Sequence, residues 1–195
     1  MPFDQRDEVA TLILVKHSLP EIIENVPARE WKLSAEGQAR CKHLADRLAK
    51  YKPDKIISSM EPKAKETAEL VAKELGLSTS IFEGLHEHDR STMGYLSKEK
   101  FQVSIREFFA RPDELVFGNE TADQTFKRFK TAIDSILSKF PHQTIVVVAH
   151  GTVISLYVSR FIEMSDYSLW KELGLPSFVV LDLESRSLIA QENIQ

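Results

Sequence analysis

Two short apolar runs, residues 11–15 and 145–149, constrain the fold more than any other feature of the chain. Each run is brief and rich in β-branched side chains, so each is predicted to be a buried β-strand. A histidine stands close behind each run: His17 follows the first after one lysine, and His150 follows the second directly. Because ligands of parallel α/β sheets bind beyond the carboxyl ends of the strands, we expect both histidines at one edge of a sheet.

The rest of the chain alternates short apolar segments with amphipathic ones. Further strands are predicted at 55–58, 78–82, 177–183 and 187–191, and helices at 34–50, 61–75, 98–109, 121–140 and 152–163. This alternation predicts an α/β fold, a three-layer α/β/α sandwich around a mostly parallel central sheet. No linker or repeat interrupts the pattern, so residues 1–195 are expected to form a single domain.

The charge balance limits the classes of partner. The chain has 25 Lys and Arg against 29 Asp and Glu, a formal net charge of −4. This surplus of acid argues against nucleic-acid binding through bulk charge, and no apolar run approaches the roughly 20 residues of a membrane span. Residues 1–10 lack the pattern of a signal peptide, and the single cysteine, Cys41, cannot form a disulfide within the chain. We therefore expect a cytoplasmic protein that binds neither nucleic acid nor membranes.

Two histidines at equivalent strand ends, one with an adjacent lysine, favour phosphoryl transfer over a purely structural role for these side chains. An imidazole nitrogen can attack phosphorus, while cationic groups offset the charge on the phosphate oxygens. A carboxylic acid can then protonate the leaving oxygen. Lys16, His17 and His150 supply the first two of these groups.

Five segments, in order along the chain, resemble the motifs of the histidine phosphatase superfamily, which has the phosphoglycerate mutase-like fold. Residues 14–18 are similar to Leu-Val-Arg-His-Gly, 33–39 to Leu-Thr/Ser-x-x-Gly-x-x-Gln/Ala, 58–68 to Ser-Ser-Pro-Leu-x-Arg-Ala-x-x-Thr-Ala, 85–87 to Leu-x-Glu, and 148–151 to the second-histidine motif. Each motif alone is weak. Their shared order and spacing across about residues 11–183 make the resemblance strong.

The resemblance implies a role for each matching residue. His17 would be the nucleophile that becomes phosphorylated, His150 would stabilise the transferring phosphoryl group, and Glu87 would be the general acid. Lys16 and Lys63 take the positions of the family's two phosphate-binding arginines. The resemblance implies neither a cofactor nor a metal.

The phosphate-binding positions depart from the family pattern. Lys16 and Lys63 keep the charge of arginine but lose its bidentate fork. Ser18 stands where the family has glycine; its hydroxyl could donate to phosphate or could fill the space, and the sequence leaves both interpretations open. We expect a functional pocket of altered geometry, in which Gly151 also borders the substrate.

Two polar segments receive structural interpretations. The residues at 86–89 alternate histidine with carboxylates, but adjacent residues rarely chelate one ion and the helical i, i+4 histidine pair is missing, so no metal site is predicted. Thr121 is predicted to cap a helix, and the charged run Lys127-Arg128, with Lys130, to be the solvated face of that helix.

The sequence favours one function and leaves two others open. The favoured function is hydrolysis of a small phosphorylated substrate through a phosphohistidine on His17. Phosphoglycerate mutase activity is less favoured, because known mutases of this family are longer and enclose the substrate with added segments. A non-catalytic phospho-ligand or partner-binding module would account for the lysines but not for His17, Glu87 and His150 together. The physiological substrate and the oligomeric state are not predicted.

Overall fold

Six strands form one sheet at the centre of the part of the protein that the structure describes. A computed structural model describes residues 11–94 and 96–195, so residues 1–10, for which the sequence predicts no signal peptide, lie outside the described part. The strands are β1 (Thr11–Lys16), β2 (Lys55–Ser58), β3 (Thr79–Ile81), β4 (Ile145–Ala149), β5 (Ser177–Asp182) and β6 (Ser187–Asn193). Their order across the sheet is β3-β2-β4-β1-β5-β6. The first four are mutually parallel, and β5 runs antiparallel to β1 and β6. The predicted mostly parallel sheet is confirmed.

Helices cover both faces of this sheet. They are α1 (Ala35–Leu48), α2 (Pro62–Leu75), α3 (Lys98–Ala110), α4 (Ala122–Lys139), α5 (Gly151–Ile162) and α6 (Asp166–Glu172). Side chains alternate along β1: Leu12 and Leu14 pack with the α4 and α5 side, whereas Ile13 and Val15 pack with the α1 and α2 side. A strand buried on both faces needs an unbroken apolar run, which explains the sequence signal at residues 11–15.

The predicted helices and strands are present, with small differences at their ends. Thr121 caps α4 through a capping box with Gln124, as its position predicts. The sequence analysis missed α6, which has only seven residues and buries Leu169 alone, so it offers no apolar period to detect. Among residues 11–94 and 96–195, the helices are all too short or too polar to cross a membrane.

Candidate active site

The two histidines predicted to meet do meet. Strands β1 and β4 are neighbours, with Lys16 in register with Ala149, and the backbone N–H of His17 donates to Ala149 O at 3.0 Å. This pairing brings the imidazoles of His17 and His150 edge to face, with 5.2 Å between ring centroids. The exposed fraction of His17 is 7%, and His150 is fully buried, so both rings lie in a sheltered pocket.

The His17 ring is oriented by the backbone beside it. Its Nδ1 lies 2.7 Å from Ser18 O, and a carbonyl can only accept, so Nδ1 carries the proton. The Nε2 atom then keeps its lone pair. Burial, together with the nearby charges of His150 and Lys63, holds the pKa of His17 well below its ordinary value. His17 is therefore neutral, as a nucleophile requires.

Both predicted phosphate-binding lysines lie in this pocket, and each is bonded to the backbone. Lys16 Nζ donates to Leu173 O at 2.7 Å, and Lys63 Nζ donates to Ala28 O at 2.6 Å. Burial lowers the pKa of Lys16 to about 8, against a smaller opposing effect of Glu87. Lys16 thus loses its charge at a pH where an arginine would keep it.

The absence of a side chain at Gly151 leaves room for the Lys16 side chain. A Cβ at this position would lie 3.2 Å from Lys16 Cε, a contact tighter than most side chains tolerate. Gly151 also begins α5, directly after His150. The residue therefore borders the pocket through its backbone, and its lack of a side chain lets the lysine approach.

Glu87 is held at the N-terminus of α5. Its Oε2 accepts from the backbone N–H of Thr152 at 3.1 Å, and its Oε1 accepts from that of His88 at 2.8 Å. Burial alone would raise the pKa of Glu87, but the charges of His150 and Arg90 and the two N–H donors outweigh it and lower the pKa. The carboxylate is thus ionised and aimed by the helix.

The segment that carries Glu87 is fixed by Arg128, which the sequence analysis placed wrongly on a solvated helix face. Arg128 Nη1 donates to Gly84 O at 2.8 Å and to His86 O at 2.9 Å, and Nη2 reaches Glu87 O at 3.3 Å. The same guanidinium pairs with Glu120, with 2.5 Å between Nη2 and Oε1. We call Arg128 and Glu120 the clamp, because together they bond to the backbone on both sides of the Glu87 side chain.

The clamp was missed because helical periodicity describes only which side of α4 faces the sheet. Arg128 is next to exposed Lys127 in sequence, and nothing local shows that unpaired carbonyls approach from the 84–87 segment. Glu120 Oε1 also accepts from the backbone N–H of Asp89 at 3.0 Å. A fork of five N–H donors suits this task, since it can bond to several carbonyls and a carboxylate at once.

Ser18 uses its hydrogen-bond donors within the protein interior. The residue is fully buried, its hydroxyl donates to Gly37 O at 2.7 Å, and its N–H donates to Thr67 Oγ1 at 3.0 Å. A hydroxyl has one proton to donate, so this geometry favours the interpretation that Ser18 fills space. Gly37 is required opposite, because a Cβ there would lie 2.0 Å from Leu19 O.

His88, which directly follows Glu87, packs between aromatic side chains. His88 lies between Phe108 and Phe117, with ring-centroid distances of 4.3 and 4.8 Å, and its Nε2 lies 3.1 Å from Glu120 O. Within the described ranges 11–94 and 96–195, no three His, Cys, Asp or Glu side chains are grouped to hold a metal ion.

Glu61 is a pocket residue that was not predicted from the sequence. It is 6% exposed, and its Oε2 lies 2.6 Å from Lys63 Nζ. Its Oε1 accepts from the backbone N–H of Glu87 at 2.8 Å and lies 3.5 Å from His150 Nε2. A signal was present, since Glu61 stands where the similar family segment Ser-Ser-Pro-Leu-x-Arg-Ala has leucine.

Comparison with known proteins agrees with this geometry. The family model described as histidine phosphatase superfamily (branch 1) matches residues 12–191. The chain belongs to the histidine phosphatase superfamily. The resemblance drawn from the five motifs is thereby confirmed.

Two proteins of Arabidopsis thaliana are similar to this chain in sequence. The chain is 30% identical over 171 residues to a metal-independent phosphoserine phosphatase, covering 81% of this chain and 71% of the relative. It is 29% identical over 170 residues to phosphoglycerate mutase-like protein 4, covering 80% and 73% respectively.

Solved structures share the fold. Phosphoserine phosphatase of Entamoeba histolytica, in complex with 3-phosphoglyceric acid, superposes with a TM-score of 0.78 at 20% identity, covering 95% of this chain and 98% of that one. A mycobacterial glucosyl-3-phosphoglycerate phosphatase gives a TM-score of 0.74 at 18% identity, covering 95% and 97%. The predicted phosphoglycerate mutase-like α/β architecture is confirmed.

Proposed function

We propose that this histidine phosphatase hydrolyses small phosphomonoesters without a metal, through a phosphohistidine on His17. The observation that carries the proposal is the orientation of His17. Its Nδ1 is bonded to Ser18 O, and its ring faces His150 at 5.2 Å, so Nε2 holds the lone pair in a pocket with two lysines. The similarity to a metal-independent phosphoserine phosphatase supports the same chemistry.

The first step transfers the phosphoryl group to His17. Nε2 attacks phosphorus, the P–N bond forms, and the bond between phosphorus and the ester oxygen breaks. Lys16, Lys63 and His150 stabilise the charge on the non-bridging oxygens. The leaving oxygen takes a proton from Glu87.

The low pKa of Glu87 decides where that proton comes from. Glu87 is ionised before the substrate arrives, so the ester brings the proton as its monoanion, whose second pKa is about 6. The negative phosphoryl group then favours transfer of that proton to Glu87, because a like charge raises a carboxyl pKa. We therefore expect kcat/KM to decline as the pH rises above about 6.

The second step returns the enzyme to its starting state. Water attacks phosphorus while Glu87, now a carboxylate, accepts its proton. The P–N bond breaks, inorganic phosphate forms, and His17 recovers a neutral ring. The proton on Glu87 leaves with the product.

The decisive experiment is to trap the intermediate. Wild type is mixed with a ³²P-labelled phosphomonoester and quenched in alkali, in which phosphohistidine survives. We expect label on wild type and on His43→Ala, an exposed histidine of α1, but none on His17→Ala. Wild type without label, or label retained in His17→Ala, would contradict the proposal and leave the non-catalytic binding module as the better interpretation.

Phosphoglycerate mutase activity is the second candidate, favoured by the similarity to phosphoglycerate mutase-like protein 4. Incubation with 3-phosphoglycerate separates the two, because a mutase yields 2-phosphoglycerate and a phosphatase releases inorganic phosphate. A panel that includes phosphoserine and glucosyl-3-phosphoglycerate, the compounds named for the similar proteins, would identify the substrate. We place the protein in the cytoplasm and expect small substrates rather than nucleic acid, in keeping with its net charge of −4.

A further inference from the structure

Glu61 is a buried carboxylate in the pocket that no step of the proposed reaction uses. It precedes α2, but its side chain makes no capping hydrogen bond to that helix. Instead, its two oxygens reach Lys63 Nζ at 2.6 Å and the backbone N–H of Glu87 at 2.8 Å. Its Oε1 is also 3.5 Å from His150 Nε2. The side chain is therefore directed across the active site.

One group that Glu61 contacts, the Lys63 ammonium, is also assigned to phosphate. Lys63 is one of the three side chains that stabilise phosphate oxygens in the proposed mechanism. His150 Nε2, by contrast, lies 2.9 Å from Ser59 Oγ, within hydrogen-bond distance. A carboxylate has the same charge sign as phosphate and accepts the same hydrogen bonds. Glu61 and phosphate therefore compete for the Lys63 ammonium.

Charge adds to this competition. The Glu61 carboxylate forms an ion pair with Lys63, with 2.6 Å between Oε2 and Nζ, and so offsets the charge of that ammonium. A phosphate that binds Lys63 has to displace this pairing, and it is repelled at short range by the Glu61 carboxylate.

Lys63 does not depend on Glu61 alone for its position. Its Nζ also donates to Ala28 O at 2.6 Å, so the ammonium keeps a backbone partner when the carboxylate is removed. Loss of the Glu61 charge should then leave Lys63 in place with a donor available to phosphate.

We propose that Glu61 is a specificity-determining residue that weakens the hold of the site on phosphate by competing for Lys63. The inference rests on the proposed phosphatase function. It selects esters whose leaving group contributes binding of its own, and it disfavours retention of inorganic phosphate as product.

The test is the affinity for inorganic phosphate, measured by titration calorimetry at pH 7 without turnover. We expect Glu61→Gln, which removes the charge and keeps the shape, to bind phosphate at least about tenfold tighter than wild type. Product inhibition by phosphate should strengthen in parallel. Glu61→Leu, with the residue of the family segment, provides a second uncharged variant if the first does not fold. Glu69→Gln is the matched control, because Glu69 is an exposed residue of the same helix, and it should bind as wild type does.

Affinity that is unchanged or weaker in both Glu61 variants would overturn the inference and make Glu61 a positioning residue for Lys63. Absence of measurable phosphate binding in every protein would overturn it as well. Because calorimetry requires no reaction, tighter binding in the variants together with unlabelled wild-type His17 would contradict the proposed function and leave the competition intact.

Discussion

The pocket has a histidine side and an acid side, and they are held by different forces. His17 and His150 follow neighbouring strands whose register is fixed by backbone hydrogen bonds. Glu87 lies in an irregular segment after edge strand β3, and its position depends on the clamp and on the N-terminus of α5. Backbone bonds of the sheet thus hold His17, the proposed nucleophile, whereas Glu87, the proposed acid, depends on individual side chains. Single substitutions should therefore impair protonation of the leaving group without impairing attack by His17.

Glu87→Gln is expected to have the largest effect on turnover, confined in the first turnover to substrates whose leaving group needs a proton. Alkyl phosphates have poor leaving groups, so loss of the general acid should lower their turnover by about 10²- to 10⁴-fold. Dinitrophenyl phosphate needs no protonation of its leaving group, so its first turnover should remain fast, followed by slow hydrolysis of the phosphohistidine. Stopped-flow measurement should show this burst of dinitrophenol.

The control for Glu87 is Glu83→Gln, an exposed carboxylate close by in the chain, which should behave as wild type. An equal loss on alkyl and aryl phosphates in the first turnover would show that Glu87 is not the proton donor.

Arg128→Met should reproduce this pattern in weaker form. Without the clamp the backbone around Glu87 can shift, and a displacement of about 1 Å can cost about 10²-fold in rate. We expect that loss on alkyl phosphates, a much smaller loss on dinitrophenyl phosphate, and unchanged affinity for inorganic phosphate. Lys127→Met, on the exposed neighbour, is the matched control. Parallel losses on both substrates, or weakened phosphate binding, would show that Arg128 supports the fold in general.

On the histidine side, Lys16→Arg should change how the affinity for phosphate depends on pH. The pKa of Lys16 is lowered to about 8. Its amine is therefore charged below that pH and loses its charge above it, whereas arginine stays charged. The ratio of the wild-type to the variant dissociation constant for phosphate should rise about tenfold between pH 7 and pH 9. Ionisation of phosphate affects both proteins equally and cancels in the ratio. A constant ratio would mean that the lysine charge does not hold phosphate.

The smallest effect is expected from Ser18→Ala. Removal of the buried hydroxyl leaves Gly37 O without that donor, so the free energy of unfolding should fall by about 1 kcal/mol in denaturant titrations. Affinity for phosphate should not change. The opposite result, weaker phosphate binding at unaltered stability, would restore the interpretation in which Ser18 donates to the substrate.

The histidine side could be predicted from the sequence because its determinants are local. A run of apolar residues buried on both faces of a sheet identifies β1 and β4, and the next residues must emerge at the carboxyl edge. His17 and His150 were placed together on this basis, and the structure brings them within 5.2 Å. The acid side could be predicted only through the family resemblance, since no periodicity marks the segment around Glu87.

What the sequence determined by itself is therefore the positions of the six strands and of helices α1 to α5, and the proximity of the two histidines. Burial repeats at a regular spacing along consecutive residues, and each strand's direction follows from its place in that pattern. Tertiary structure decided which charges share the pocket. In the sequence, Arg128 and Glu61 look like ordinary charged residues of helices. In the structure, Arg128 holds the backbone near Glu87, and Glu61 pairs with Lys63. Such roles arise from contacts between segments far apart in sequence, and spacing along one helix carries no information about them.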